Sequence, residues 1–109
     1  VNSVAEKTKS VTVLVTYVTA DHEWLTVALS DGRRLSLPLE WFPRLSHGTP
    51  AERNHWRLIG GGEGVHWPDL DEDLSLEGFL AGRKSQESPG SLKKWLAGRK
   101  PVGRTRRVG

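Results

Sequence analysis

One stretch gathers most of the residue types that chemistry uses. Residues 60 to 78 read GGGEGVHWPDLDEDLSLEG, a glycine run that leads into His66-Trp67-Pro68 and then into alternating acids. A phosphate loop needs glycine amides followed by a Lys and a hydroxyl, which manage the charge and its metal. Here Glu63 sits inside the loop and no Lys or hydroxyl follows the glycines, so an anion is repelled. The dinucleotide fingerprint fails as well, because its third glycine falls on Val65 or on Trp67. A calcium loop opening on Asp69, Asp71 and Asp73 then needs a Gly and a closing Glu where Leu74 and Leu80 stand. A looser magnesium or manganese site on His66 and the acids stays open.

Paired carboxylates do acid–base work only where a pocket splits their pKa values. An exposed acidic turn does not do this. No Ser-His-Asp order and no His-Glu-x-x-His occurs, and His22, His47, His55 and His66 are scattered. The same stretch also reads without chemistry. Glycines make a tight turn between two short strands, Trp67 packs, Pro68 ends the strand, and the acids initiate and cap a helix, where carboxylates suit the dipole. The expectation is a protein with no catalytic residues, no cofactor and no dedicated metal site.

The elements that hold this stretch follow from pattern. The chain has 109 residues, 36% hydrophobic and 27% charged, with no Cys, so disulfide, thiolate and zinc–thiolate chemistry is excluded. No run approaches a membrane span and Val1 to Ser10 does not read as a secretory signal, so a cytoplasmic protein with no membrane partner is expected. In VTVLVTYV, Val11, Val13, Val15 and Tyr17 are set to share one face. WLTVALS follows with Leu25, Val27 and Leu29 on one face, then Asp31-Gly32, a type I′ hairpin signal, then Leu35 and Leu37. This is a three-stranded antiparallel meander whose apolar face needs a cover, and helices are the expected cover.

Pro38 and Pro43 bracket a short turn that presses Trp41, Phe42 and Leu45 onto the sheet. Thr49-Pro50-Ala51-Glu52 is a capping box opening a helix over about 50 to 56. Residues 57–59 and 65–67 read as short strands around the glycine turn. Ser75 caps a helix through Leu76, Phe79 and Leu80, and Gly82 stops it. SQESPGS reads as a linker, after which Ser91 opens a second helix with Leu92, Trp95 and Leu96, stopped by Gly98. The ends Phe79-Leu80-Ala81-Gly82-Arg83-Lys84 and Trp95-Leu96-Ala97-Gly98-Arg99-Lys100 match at every position but the aromatic. Two readings fit them: the same Gly stop with a basic last turn, or a duplicated docking element. The division is a small α+β domain over 1–84 and a linker, short helix and basic tail over 85–109.

Four strings carry a family resemblance: Asp31-Gly32-Arg33, Pro38-Leu39-Glu40-Trp41-Phe42-Pro43-Arg44-Leu45, Thr49-Pro50-Ala51-Glu52-Arg53, and His66-Trp67-Pro68-Asp69-Leu70-Asp71-Glu72-Asp73-Leu74-Ser75 with Glu77-Gly78. In this order they resemble the bacterial family called domain of unknown function 2442, over about residues 11 to 84. The resemblance implies a small α+β domain with an antiparallel meander. No catalytic residues are established for that family, so the resemblance carries none over to this chain. It implies a gene arrangement in which many relatives are encoded beside a second small domain, as in toxin–antitoxin modules. Some relatives carry a helix-turn-helix domain afterwards, and nothing after residue 84 here has room for one.

The expected function is therefore non-enzymatic protein binding, as an antitoxin-like partner of a small toxin protein. Contact would use Trp41, Arg44, Trp67, Asp69 and Asp71, since aromatic and Arg anchors dominate interfaces, although Trp41 and Trp67 also read as core. The alternative is a nucleic-acid-binding accessory or regulatory protein. Net charge is +3 and unevenly spread, with acids crowding 63–77 and Lys93, Lys94, Arg99, Lys100, Arg104, Arg106 and Arg107 near the end, a set suited to phosphates. Oligomeric state is not legible.

Overall fold

The computed structural model describes residues 12–99, and the meander is there. Strands β1 (Val15–Ala20), β2 (Trp24–Leu29) and β3 (Arg34–Pro38) pair antiparallel in that order. Leu25, Val27, Leu29 and Leu37 are buried, as their alternation requires. Strand β1 departs from expectation. Val15 and Val18 are buried while Tyr17 is 58% exposed, because the register shifts between Val15 and Tyr17. One bulged residue inverts the parity of everything after it, so the face expected to run through Tyr17 ends at Val15.

The Asp31-Gly32 turn is also not type I′, which requires positive φ at both central residues. Gly32 has φ 96°, but Asp31 does not share that region. Leu29 instead accepts from the Gly32 N–H at 3.0 Å and donates to the Arg33 carbonyl at 2.9 Å. The result is a longer loop, closed by Asp31, whose carboxylate accepts from the Arg33 N–H at 3.0 Å and from its Nε at 2.8 Å.

After β3 a 3₁₀ turn (Leu39–Trp41) and α1 (Pro43–Ser46) bury Leu39, Phe42 and Leu45. Helix α2 (Pro50–Arg53) is shorter than expected but has the full capping box. Glu52 N–H donates to Thr49 Oγ1 at 3.1 Å, and Thr49 N–H donates back to Glu52 Oε1 at 2.9 Å.

A second sheet, β4 (Arg57–Ile59), β5 (Gly64–Trp67) and β6 (Glu72–Ser75), is antiparallel in that order. Its third strand corrects the reading of the acids as a helix start. Leu70 is 0% exposed and plugs the turn from inside. Asp71 takes φ 54°, a left-handed position that Asp tolerates. The chain then returns along β5, with Leu74 opposite Val65 and Glu72 opposite Trp67. Helix α3 (Leu76–Ala81) begins only at Ser75, whose Oγ accepts from the Gly78 N–H at 2.9 Å, and it stops at Gly82 with φ 70°.

Helix α4 (Pro89–Gly98) is capped by Ser88 rather than Ser91, because Pro89 fills the first helical position, where no donor is needed. Gly98 remains helical and the extended Arg99 is the cap, so the two matched strings end their helices differently. One core joins both sheets: Val15, Val18, Leu25 and Val27 meet Val65 and Trp67, with Phe42, Leu45, Leu70 and Phe79 from the connections. The meander is therefore covered by a second sheet as well as by short helices. This is an α+β fold. Among the described residues no helix is long and apolar enough to cross a membrane.

Candidate functional site

The register of β6 places charge where a core strand would place apolar residues. Val65 and Trp67 face the core, so Leu74 and Glu72 opposite them face it too. Beside them opens a cleft of about 520 Å³. Phe42 and Phe79 line it from the core, β6 forms one wall, and the chain from Arg83 to Glu87 forms another.

Arg44, reaching in from α1, organises this cleft. Its Nε donates to Glu87 Oε1 at 2.8 Å and its Nη2 to Glu87 Oε2 at 3.1 Å, a two-pronged grip on a carboxylate. Its Nη1 donates to the Asp71 carbonyl at 2.9 Å. The same guanidinium lies 5.1 Å from the centre of the Trp95 ring, and Arg99 lies 4.9 Å from it. Arg99 in turn reaches Glu52 at 2.9 Å. Ser85 N–H donates to the Trp41 carbonyl at 3.0 Å. The stretch read as a linker is thus held against the 3₁₀ turn and α1, and the end of α4 is tied to α2, although α4 buries no residue fully.

These ties set the ionisation of the cleft. The Arg44 hydrogen bonds hold the Glu87 carboxyl below its ordinary range. Burial raises the Glu52 carboxyl, but donation from Arg99 and Thr49 outweighs it and leaves the group lowered. Glu72 goes the other way. Burial pushes it up to about 7, Arg44 opposes this, and Glu87, Asp73 and Asp71 add to it. Its proton therefore stays on in the native state after the unfolded chain, near 4.5, has released it. Between those values the native state binds more protons, so stability falls as pH rises from about 4.5 to about 7. Glu87 and Glu52 act in the opposite sense, and their contribution disappears as pH falls below the ordinary carboxylate range. Glu72→Gln should remove the first slope and stabilise the protein by about 1–2 kcal/mol at pH 8, after allowance for solvent screening. Urea melts of both proteins at pH 5 and pH 8 measure this; an unchanged slope contradicts it.

Of the expected contact residues, Arg44 and Asp71 meet at the cleft and the others are placed apart from them. Trp67 is fully buried, and its Nε1–H donates to the Arg53 carbonyl at 2.9 Å, so it is core and cannot anchor a partner. Its place opposite Glu72 on the inward face of β5 is the reason. Trp41 is half-buried, with the Lys84 ammonium 5.5 Å from its ring centre. Arg44 is occupied by Glu87 and Asp71. Asp69 pairs with His55 at 2.7 Å, and Asp71 is exposed at the rim. His66 pairs with Asp73 across β5 and β6. Each of these acids thus has its own partner, and among the described residues no three His, Cys, Asp or Glu gather as a metal site. Of the basic set, Lys93 and Lys94 are exposed on α4, Arg99 is tied to Glu52 and Trp95, and Lys100, Arg104, Arg106 and Arg107 lie outside the described residues. Sequence reasoning missed Glu72 and Glu87. The parity of Glu72 with Leu74 was the available signal for the first; nothing local marked the second.

Two small antiparallel sheets sharing one core, with short capped helices between, define the class of fold. The chain belongs to the family described as protein of unknown function (DUF2442), whose model matches residues 15–85. A crystal structure of a protein of unknown function from Rhodospirillum rubrum is similar at 25% identity and a TM-score of 0.61, covering 71% of this chain and 95% of that one. The solution structure of an uncharacterized protein from Chromobacterium violaceum shares the fold at 22% identity and a TM-score of 0.58, covering 88% of this chain and 84% of that one. Among curated proteins no match is found.

Proposed function

We propose that this chain is a non-enzymatic protein-binding module, an antitoxin-like partner of a small toxin protein. One observation carries the reading: Arg44, Glu87 and Asp71 in the cleft are spent on each other. Arg44 is held by Glu87 and Asp71, which gives the cleft a fixed shape and charge pattern suited to recognition. Family membership supports the antitoxin-like part through the gene arrangement that the resemblance implies. The compartment proposed is the cytoplasm.

Capture of the tagged full chain from its native host at moderate salt, with and without nuclease, tests this. A small protein recovered in stoichiometric amount after nuclease treatment is the expected result. Recovery that vanishes with nuclease would contradict it. It would favour the accessory role on nucleic acid, through exposed Lys93 and Lys94 and the residues beyond them.

A further inference from the structure

Strand β6 ends the second sheet, and its outer edge faces the cleft. The Leu76 N–H donates to the Glu63 carbonyl at 2.9 Å, which fixes the alternation along the ladder. Leu74 and Glu72 bond to β5, whereas Asp73 and Ser75 turn their main-chain groups away from it. The Ser75 carbonyl starts helix α3, as an N-cap carbonyl does. That leaves the Asp73 N–H, the Asp73 carbonyl and the Ser75 N–H without a main-chain partner among the described residues. An edge of this kind is a template for another strand.

We propose that this edge takes an extended basic peptide of a partner protein, which adds to the sheet as a fourth strand lying between β6 and the Arg83–Glu87 wall. The inference rests on the protein-binding reading and specifies its ligand. In an antiparallel addition one peptide residue exchanges both main-chain bonds with Asp73. Its side chain falls on the outer face, extending the row Arg57, His66, Asp73. The next group in that row meets a carboxylate, and opposite charges across strands stabilise pairing, so a Lys or Arg fits there. The charges around the edge agree. The side chains of Asp71, Asp73 and Glu77 are 87%, 67% and 84% exposed. Arg83 lies near Glu77 at 3.8 Å and Lys84 over Trp41, while Asp73, although paired with His66, keeps most of its side chain exposed for a second donor. On the inner face, the peptide residue opposite Leu74 meets Phe42 and Phe79 and should be apolar. Alternating apolar and basic residues in extended form are thus the chemistry this edge selects.

The probe is a blocked octapeptide of alternating valine and lysine, titrated into the isotope-labelled full chain and followed by amide shifts. Saturable shifts at Asp73 and Ser75 are expected. N-methylation of one central lysine amide, which deletes a main-chain donor but keeps the charge, should weaken binding at least about tenfold, as loss of a main-chain hydrogen bond predicts. Asp73→Pro removes both the main-chain donor and the carboxylate from the protein side, leaves the main-chain bonds to β5 in place, and should weaken binding at least as much. If that variant does not fold, the methylated peptide still decides the question on the unaltered protein. Equal binding by the methylated peptide, shifts confined to another surface, or no shift at millimolar peptide would overturn the proposal. So would a concentration-dependent dimer that competes with the peptide, which would assign the edge to a second copy of the chain. A captured protein partner that binds Asp73→Pro undiminished sinks strand addition but leaves the protein-binding reading standing; failure to capture any protein sinks that reading itself.

Discussion

Trp67→Ala should destabilise the domain by about 3–5 kcal/mol, the range for deleting a large aromatic from a closed core. The ring is 0% exposed and sits where the two sheets share their core. Its loss leaves a cavity between elements fixed by separate ladders, which cannot collapse to fill it. The loss also leaves the Arg53 carbonyl without the Trp67 donor at 2.9 Å. Trp67→Phe separates the two effects. It keeps most of the volume and gives up the hydrogen bond, so it should cost about 1–3 kcal/mol, the penalty for a buried acceptor left unmet. Since small domains are stable by only about 5–15 kcal/mol, the Ala variant should be at the edge of folding at 37 °C. Urea titration followed by far-UV circular dichroism measures both. A cost below about 1 kcal/mol for Trp67→Ala would mean that the residue is not the core element described.

Gly62→Ala is the second large effect, and it explains the glycine run. Gly62 has φ 124°, and an added Cβ would stand 2.7 Å from the Val15 carbonyl oxygen and 2.8 Å from the Leu14 Cβ. The Gly62 carbonyl also accepts from the Val15 N–H at 2.8 Å, so the turn between β4 and β5 is pressed against the start of β1. Neither backbone can retreat without breaking this contact. A cost of about 2–4 kcal/mol follows from left-handed strain plus the clash. Gly61 is the control. Its φ is 69°, yet nothing lies within 4 Å of the site of an added Cβ. Gly61→Ala should therefore cost only about 1–2 kcal/mol, the conformational term alone. Equal melting temperatures for the two variants would contradict the packing account. The run is thus a strict turn seated on a strand, and phosphate binding is not needed to explain it.

Local chemistry in the sequence foretold much of this fold. Leu25, Val27 and Leu29 alternate cleanly, Thr49 and Glu52 form a complete capping box, and Ser75 and Gly82 bound a helix with unambiguous start and stop residues. What escaped was decided by distant contacts. The bulge that turns Tyr17 outward is set by pairing with β2, not by the residues of β1. The acids from Asp69 to Asp73 suit a helix start as well as a strand; the burial of Leu70 and the pairing with β5 decide for the strand. Ser91 was a plausible cap until Pro89 placed the helix start one turn earlier. The candidate site was less legible than the fold for the same reason. Arg44 could be named from its string, but Glu87 meets it from 43 positions away, and the inward face of Glu72 depends on a strand that the pattern did not disclose.

An inward acid on an exposed edge strand is also a device that discourages indiscriminate pairing between sheets. Glu72 stands in such a position, half-buried on the inward face of β6.

The most direct measurement takes the protein partner recovered from the host and titrates it into the isotope-labelled full chain, recording amide shifts residue by residue. The account predicts that the largest changes fall on 71–75 and 83–87, the two walls of the cleft, with little change on the Thr19, Thr26 and Ser36 row of the first sheet. Changes confined to that row, or to Lys93 and Lys94 on α4, would contradict it.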